Sequence, residues 1–152
     1  MVKIERLSDT LAGDVDSINN LASELSKRFK ADGLSVDVAI LQEIIESNNH
    51  DLLIARDRSK KLVGMAAMSL TIAPVAGKIA YLEDFVVSED VRGQKVGSKL
   101  WREMIKWGKE KQAERLEFTS RPERKDAHSF YEKMGAVIRD TVAYRKMIED
   151  EE

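Results

Sequence analysis

Two short stretches of this 152-residue chain carry side chains and spacings able to do chemistry. The first, residues 80–100, reads AYLEDFVVSEDVRGQKVGSKL. Adjacent carboxylates, Glu83 and Asp84, lie among the β-formers Tyr81, Leu82, Phe85, Val86 and Val87. A basic turn, Arg92-Gly93-Gln94-Lys95-Val96-Gly97, leads from that strand into a helical pattern. A strand, a glycine turn and a helix start can hold an anion. The first helical amides lack intrahelical partners, the macrodipole is positive there, and glycine lets backbone approach closely. Neither a Walker loop nor GxGxxG fits, because 93–99 is too short for the first and the second glycine of the other is missing. An ordinary strand-to-helix turn is the competing reading. Strand alternation sends Glu83 and Asp84 to opposite faces. A carboxylate within a central strand needs a compensating partner, supplied by a structural cation or by a site. The second stretch is Phe130-Tyr131-Glu132-Lys133-Met134-Gly135-Ala136, where Tyr131 lies on an apolar helical stripe and core packing would explain it.

These residues resemble the GNAT superfamily of N-acyltransferases. The turn is similar to the family's acyl-CoA loop, Arg/Gln-x-x-Gly-x-Gly/Ala, with Arg92 and Gly97 in the outer positions and Lys95 in place of the middle glycine. YLEDFVV…RGQKVGSKL is especially similar to spermidine/spermine-type acetyltransferases, and 130–136 resembles FYxxxGF with Ala136 in place of the aromatic. The likeness spans roughly residues 2–148. It implies acetyl-CoA as cosubstrate, with its pyrophosphate held by Arg92, Gly93, Gln94, Lys95, Val96, Gly97 and Ser98 and its pantetheine paired to the backbone of Phe85, Val86 and Val87. It implies a catalytic carboxylate at Glu83, with Asp84 the second candidate, and Tyr131 as proton donor to the departing thiolate. The family's pantetheine-contacting asparagine, seven residues before this tyrosine, is here Arg124.

Composition bounds these readings. Hydrophobic residues make up 43% and charged residues 34%, as in a water-soluble globular domain. The absence of cysteine excludes disulfides, thiolate metal sites and a cysteine nucleophile. His50 and His128 lack metal-ligand spacing, so no metal is expected. No signal peptide or apolar run of membrane length is visible, and a cytoplasmic protein without membrane partners is expected. Net charge is −2, with a balance of −5 over residues 1–57 and +3 over 89–111. The basic segment around the turn suits an anionic cofactor; the acidic third suits a cationic amine or is simply a solvated face. Negative net charge and 6% aromatic content argue against nucleic acid.

The elements that must position these groups follow from periodicity. Residues 2–7 alternate as a strand. Ile18, Leu21, Ala22, Leu25 and Phe29 predict a helix from Asp14, and Ser35 caps a second through Ile45. Residues 52–55 and 62–72 form a hairpin, and the central strand follows the turn at 74–77. A helix over 96–111 buries Val96, Leu100, Trp101, Met104, Ile105 and Trp107. A fifth strand covers 116–119, a last helix starts near Asp126 and stops at Gly135, and 137–138 and 143–148 are closing strands. The expectation is an α+β domain over 1–148 with an acidic tail at 149–152. By resemblance its core is a mixed, mostly antiparallel sheet with a splayed central strand and about four helices.

The function so implied is acetyl transfer from acetyl-CoA to a primary amine, small-molecule or peptide, by direct transfer in a ternary complex. The alternative is a non-catalytic acyl-CoA-binding or regulatory module, motivated by Lys95 and Arg124. An amine of pKa ~10.4 is mostly protonated at neutral pH, a deficit of about 4–5 kcal/mol that a general base offsets. The acceptor's identity and a homodimer are left open by the sequence.

Overall fold

The computed structural model describes residues 1–149. Of the expected acidic tail, all but Glu149 lies outside the described residues. Two compact units divide the chain, Met1–Phe118 and Thr119–Glu152.

The first unit is built on a five-stranded sheet of order β1-β2-β3-β4-β5: β1 Lys3–Arg6, β2 His50–Arg56, β3 Leu62–Ala73, β4 Gly77–Val87 and β5 Arg115–Glu117. The first four strands pair antiparallel and β5 joins β4 in parallel. Between β1 and β2 lie α1 (Asp14–Leu25), α2 (Lys27–Ala31) and α3 (Val38–Glu46), and α4 (Val96–Glu110) joins β4 to β5. This is the mixed, mostly antiparallel sheet that the sequence implied.

The sheet separates two apolar layers. On one face Leu52, Ile54, Met65 and Val86 pack with Ile18 and Leu21 of α1 and Leu41 of α3. On the other, α4 buries Val96, Leu100, Met104 and Trp107 against the strands. Gly64 permits that contact: a Cβ there would meet Leu100 Cδ1 at 3.2 Å and Val96 Cγ1 at 3.4 Å. Both tryptophans are buried as expected, Trp101 edge-on to Phe118 and Trp107 donating its indole N–H to Asp51 at 2.7 Å. Ile105, placed on the buried stripe by periodicity, instead sits at the exposed rim.

A buried ion pair ties α1 to the sheet. Arg56 donates two hydrogen bonds to the Asp14 carboxylate at 2.7 and 2.9 Å and a third to Glu5 at 2.7 Å. The guanidinium beside Asp14 holds its carboxyl below the usual range against the opposing effect of burial, and the Leu11 N–H assists.

Three expectations change. The single helix from Asp14 to Phe29 breaks at Ser26, whose backbone is extended and whose hydroxyl accepts the Phe29 N–H at 3.3 Å to open α2. The α3 cap is Asp37, accepting from Ala39 at 2.8 Å, not Ser35. The closing strands at 137–138 and 143–148 do not form: in the second unit, the described residues after α5 (Lys125–Lys133) have no strand pairing and are exposed from Val137 on. Alternation there supplies strand propensity, but a strand needs a partner to satisfy its backbone. Gly135 (φ +93°) ends α5 as expected, with the Ala136 N–H returning to the Tyr131 carbonyl at 3.0 Å.

Candidate active site

The carboxylate pair sits at a break in strand register. Met68 pairs with Leu82 and Ala66 with Phe85, so one β3 residue, Ala67, faces two on β4. This is a β-bulge containing Glu83 and Asp84. Met68 and Ala66 share a sheet face, so Leu82 and Phe85 do too, although three positions apart. Strict alternation, which would send the two acids to opposite faces, therefore fails here. Both lie opposite Ala67, on the face of α1 and α3, and both are exposed. Asp84 is open to solvent yet recessed among protein atoms, and this desolvation pushes its carboxyl above the ordinary aspartate value.

The pairing of β4 with β5 covers Ile79 to Tyr81 alone. From Leu82 to Val87, β4 runs on beyond the end of its parallel neighbour while β3 stays paired on the other side. This is the stretch where the central strand was expected to splay. Phe85, Val86 and Val87 lie in it, with Val86 buried and its two neighbours partly exposed.

After β4 a single 3-10 turn, Glu89–Val91, is capped by Ser88, and the chain then winds into α4 through two left-handed residues. Gly93 has φ +86° and Lys95 φ +60°, ψ 25°. Lys95 is the α4 N-cap in the αL region, where a Cβ costs roughly 1–2 kcal/mol, and its side chain makes no capping bond. This is the position where the resembling loop has glycine. The first helical bond of α4 is Lys99 N–H to Lys95 C=O at 3.1 Å. The amides of Val96, Gly97 and Ser98 precede it and stand at the positive end of the helix dipole. The Gln94 amide, expected to face an anion, donates to the Val91 carbonyl at 3.2 Å and holds the turn closed. Arg92 touches Glu89 at 3.9 Å, with both side chains well exposed. Such a pair holds Arg92 weakly. A turn with two left-handed residues, a helix N-terminus and two nearby cations fits a phosphate-bearing group.

In the second unit Tyr131 is buried and lies edge-on to Phe130, with ring centroids 6.0 Å apart. Burial pushes its phenol above the usual value, while the Arg124 guanidinium, which hydrogen-bonds the phenol, pulls the other way and loses. Tyr131 therefore stays a neutral O–H donor at neutral pH. Arg124 was read from the sequence only as a substitute for a cofactor-binding asparagine. Its tie to Tyr131 has one signal in the sequence, a cation seven positions upstream at the α5 N-cap. Among the described residues no metal-binding cluster of His, Asp and Glu is present, and no helix is long and apolar enough to cross a membrane.

Known proteins share this architecture. A crystal structure of a transcriptional regulator from Bacillus halodurans C-125 superposes with a TM-score of 0.79 at 25% identity, covering 98% of this chain and all of that one. An aminoglycoside acetyltransferase, meta-AAC0020, from an uncultured soil metagenomic sample gives 0.77 at 22% identity, covering 98% of this chain and 97% of that one. AAC(6')-Iy, solved with a bisubstrate analogue of CoA and acetylneamine, gives 0.71 at 19% identity, covering 97% and 99%. No curated protein sequence matches the chain significantly. The family model for the acetyltransferase (GNAT) family matches residues 18–136, more than three quarters of the sequence, and the chain belongs to that family.

Proposed function

We propose that the protein transfers an acetyl group from acetyl-CoA to a primary amine, with both units acting as one domain over residues 1–148. The observation that carries this reading is the left-handed turn opening α4, immediately downstream of the bulged half of β4 that runs past the end of β5. The amides of Val96, Gly97 and Ser98, with Arg92 and the Lys95 ammonium, would hold the pyrophosphate; Gly93 lets the turn form, and Gln94 braces it. Phe85, Val86 and Val87 would bind the pantetheine arm through their backbone. When bound, acetyl-CoA supplies an acetyl group activated as a thioester.

The other steps belong to side chains. Glu83 accepts the amine's proton, leaving the neutral nucleophile. Tyr131, held neutral by burial, supplies a proton to the leaving thiolate, and Arg124 orients its hydroxyl. A second assignment, with Asp84 as the base, is favoured by its raised pKa, since a more basic carboxylate takes a proton more readily. The acceptor is a small-molecule or peptide amine; the neighbours that acetylate aminoglycosides make amino sugars the first class to try.

The deciding experiment is a panel of amines assayed for acetyl-CoA-dependent thiol release. Turnover on any amine supports transfer. Acetyl-CoA binding without turnover on any of them would make the chain a non-catalytic acyl-CoA-binding module.

A further inference from the structure

Helix α4 turns an apolar face to the sheet and a cationic face to solvent. Lys99, Arg102, Lys106 and Lys109 recur three, four and three positions apart, which sets them in one stripe along the helix. The helical rise makes that stripe about 15 Å long, and it begins one turn beyond Lys95 of the phosphate turn. Arg102, Lys106 and Lys109 are exposed and Lys99 partly so. Among the described residues Lys99, Arg102 and Lys109 have no ion pair. The two acids of α4 do little to offset them: Glu103 is partly buried, and Glu110 is bound to Arg6. Arg6 holds the Glu110 carboxyl low, with Lys106 and Lys111 assisting.

A merely solvated face mixes its signs, because like charges three or four positions apart destabilise a helix. This one also sets Lys99 in the first turn, where the dipole is already positive. An anionic partner would offset both costs. The cosubstrate is too short for the stripe: beyond its pyrophosphate CoA offers one further phosphate, which cannot meet four cations spread over about 15 Å. A long polyanion would run off the stripe onto a chain whose net charge is −2 even with these cations counted. A membrane surface needs apolar side chains beside the cations, and α4 buries its apolar stripe against the strands, leaving Ile105 at the rim. A short acidic helix matches the length, the charge and the shape.

The place of the stripe says which acidic helix. A phosphopantetheine thioester is carried either on CoA or on a serine of an acyl carrier protein, a small acidic helical domain. We propose that the cationic face of α4 docks the acidic helix of an acyl carrier protein, whose phosphopantetheine thioester then enters at the phosphate turn as a second acyl donor. The bond changes match those with CoA. The amine nitrogen bonds the acyl carbon, the carbon–sulfur bond breaks, and the proton lost by the amine is balanced by one given to the thiolate of the carrier's arm. The donor role rests on the proposed acetyl transfer; docking on α4 does not.

The test titrates three probes into the full-length chain by calorimetry at low and high salt: an acyl carrier protein without its arm, the same carrier bearing acetyl-phosphopantetheine, and acetyl-CoA. Both carrier forms are expected to bind at low salt, the acetylated one more tightly, and both to weaken as salt screens the contact. Arg102→Glu combined with Lys106→Glu is expected to abolish carrier binding, with acetyl-CoA affinity and the circular dichroism spectrum unchanged. The milder Arg102→Gln with Lys106→Gln removes two surface ion pairs and is expected to weaken carrier binding about tenfold. A parent that does not bind the armless carrier, or binding that survives the charge reversal, would overturn the docking. Acetyl-CoA affinity lost in parallel would overturn it too, returning the stripe to the nucleotide of CoA. Duplex DNA or phosphatidylglycerol vesicles held more tightly than the carrier, and released by the same substitutions, would overturn the choice of partner. Equal affinity for the two carrier forms would overturn the donor role. Failure of acetyl-CoA to bind or turn over counts against the proposed function and the donor role alone, because docking is read from the armless carrier.

Discussion

Lys95→Gly, paired with Lys95→Ala, is the most revealing perturbation of the phosphate turn. Lys95 holds φ +60° as the N-cap of α4, with no capping bond from its side chain in return. A residue with a Cβ loses roughly 1–2 kcal/mol in that conformation. Glycine removes the loss but brings back about 0.5–1 kcal/mol as extra freedom of the unfolded chain. The net gain for Lys95→Gly is about 0.5–1 kcal/mol, which for a chain of this length raises Tm by about 2–3 °C. Alanine keeps the Cβ and the strain, so Lys95→Ala leaves Tm near the parent. Both variants lose the ammonium, so both weaken acetyl-CoA binding, and the loss shrinks as salt screens the attraction. Thermal melts and titration calorimetry at two ionic strengths separate the two effects. Equal Tm for the two variants would refute the strain argument. Tighter acetyl-CoA binding by Lys95→Gly than by the parent would refute a phosphate-directed lysine.

Tyr131→Phe is expected to lower kcat by about 10²–10⁴-fold with acetyl-CoA affinity nearly unchanged, because only the proton donor is lost; single-turnover kinetics and calorimetry check both halves. Glu83→Gln should depress kcat/KM most at neutral pH and recover partly as free amine accumulates at higher pH, whereas that signature in Asp84→Asn with a silent Glu83→Gln transfers the base to Asp84. Asp84's carboxyl is raised, so its charge opposes folding as pH climbs above the ordinary value of 3.8; Asp84→Asn should therefore raise Tm at pH 7, by a margin that vanishes toward pH 4. Asp14's carboxyl is lowered, so its contribution is complete above that same value and is lost as pH falls through the folded pKa. Asp14→Asn should cost about 3 kcal/mol in urea unfolding at pH 7, near the low end for a broken buried pair because Glu5 still bonds Arg56, and less in acid.

The sequence made plain whatever depends on long periodic patterns. Helix α4, with Leu100, Met104 and Trp107 on one stripe, and the β2–β3 hairpin are legible because burial repeats over many residues. Features set by one residue's backbone were not. Nothing about the types Glu83 and Asp84 announces a bulge, since the extra residue is defined only by its partner strand. Nothing in the residue type of Lys95 signals a left-handed backbone, and only the resemblance marked its position as one that favours glycine. Ser26 and Asp37 cap α2 and α3, but a helix pattern continuing to Phe29 hid the first and an earlier serine, Ser35, stood in for the second. At 137–148 the pattern gave the propensity, while the pairing depends on what lies alongside.

The bulge also gives β4 a position it can hold or lose without re-aiming the rest of the strand. In an unbroken strand two neighbouring residues cannot both stand on one face, so a sequence-adjacent acid pair on a single face exists only because a position has been inserted. Substituting Glu83 or Asp84 leaves the strand as it was. Deleting either one restores strict alternation: Leu82 and Phe85, then two apart, stay on one face, and Val86 keeps its place with Ile18 and Leu21. Under the proposed function, acceptor preference can therefore drift by exchange of side chains or by loss of one acid, with both cores left on their own sides of the sheet.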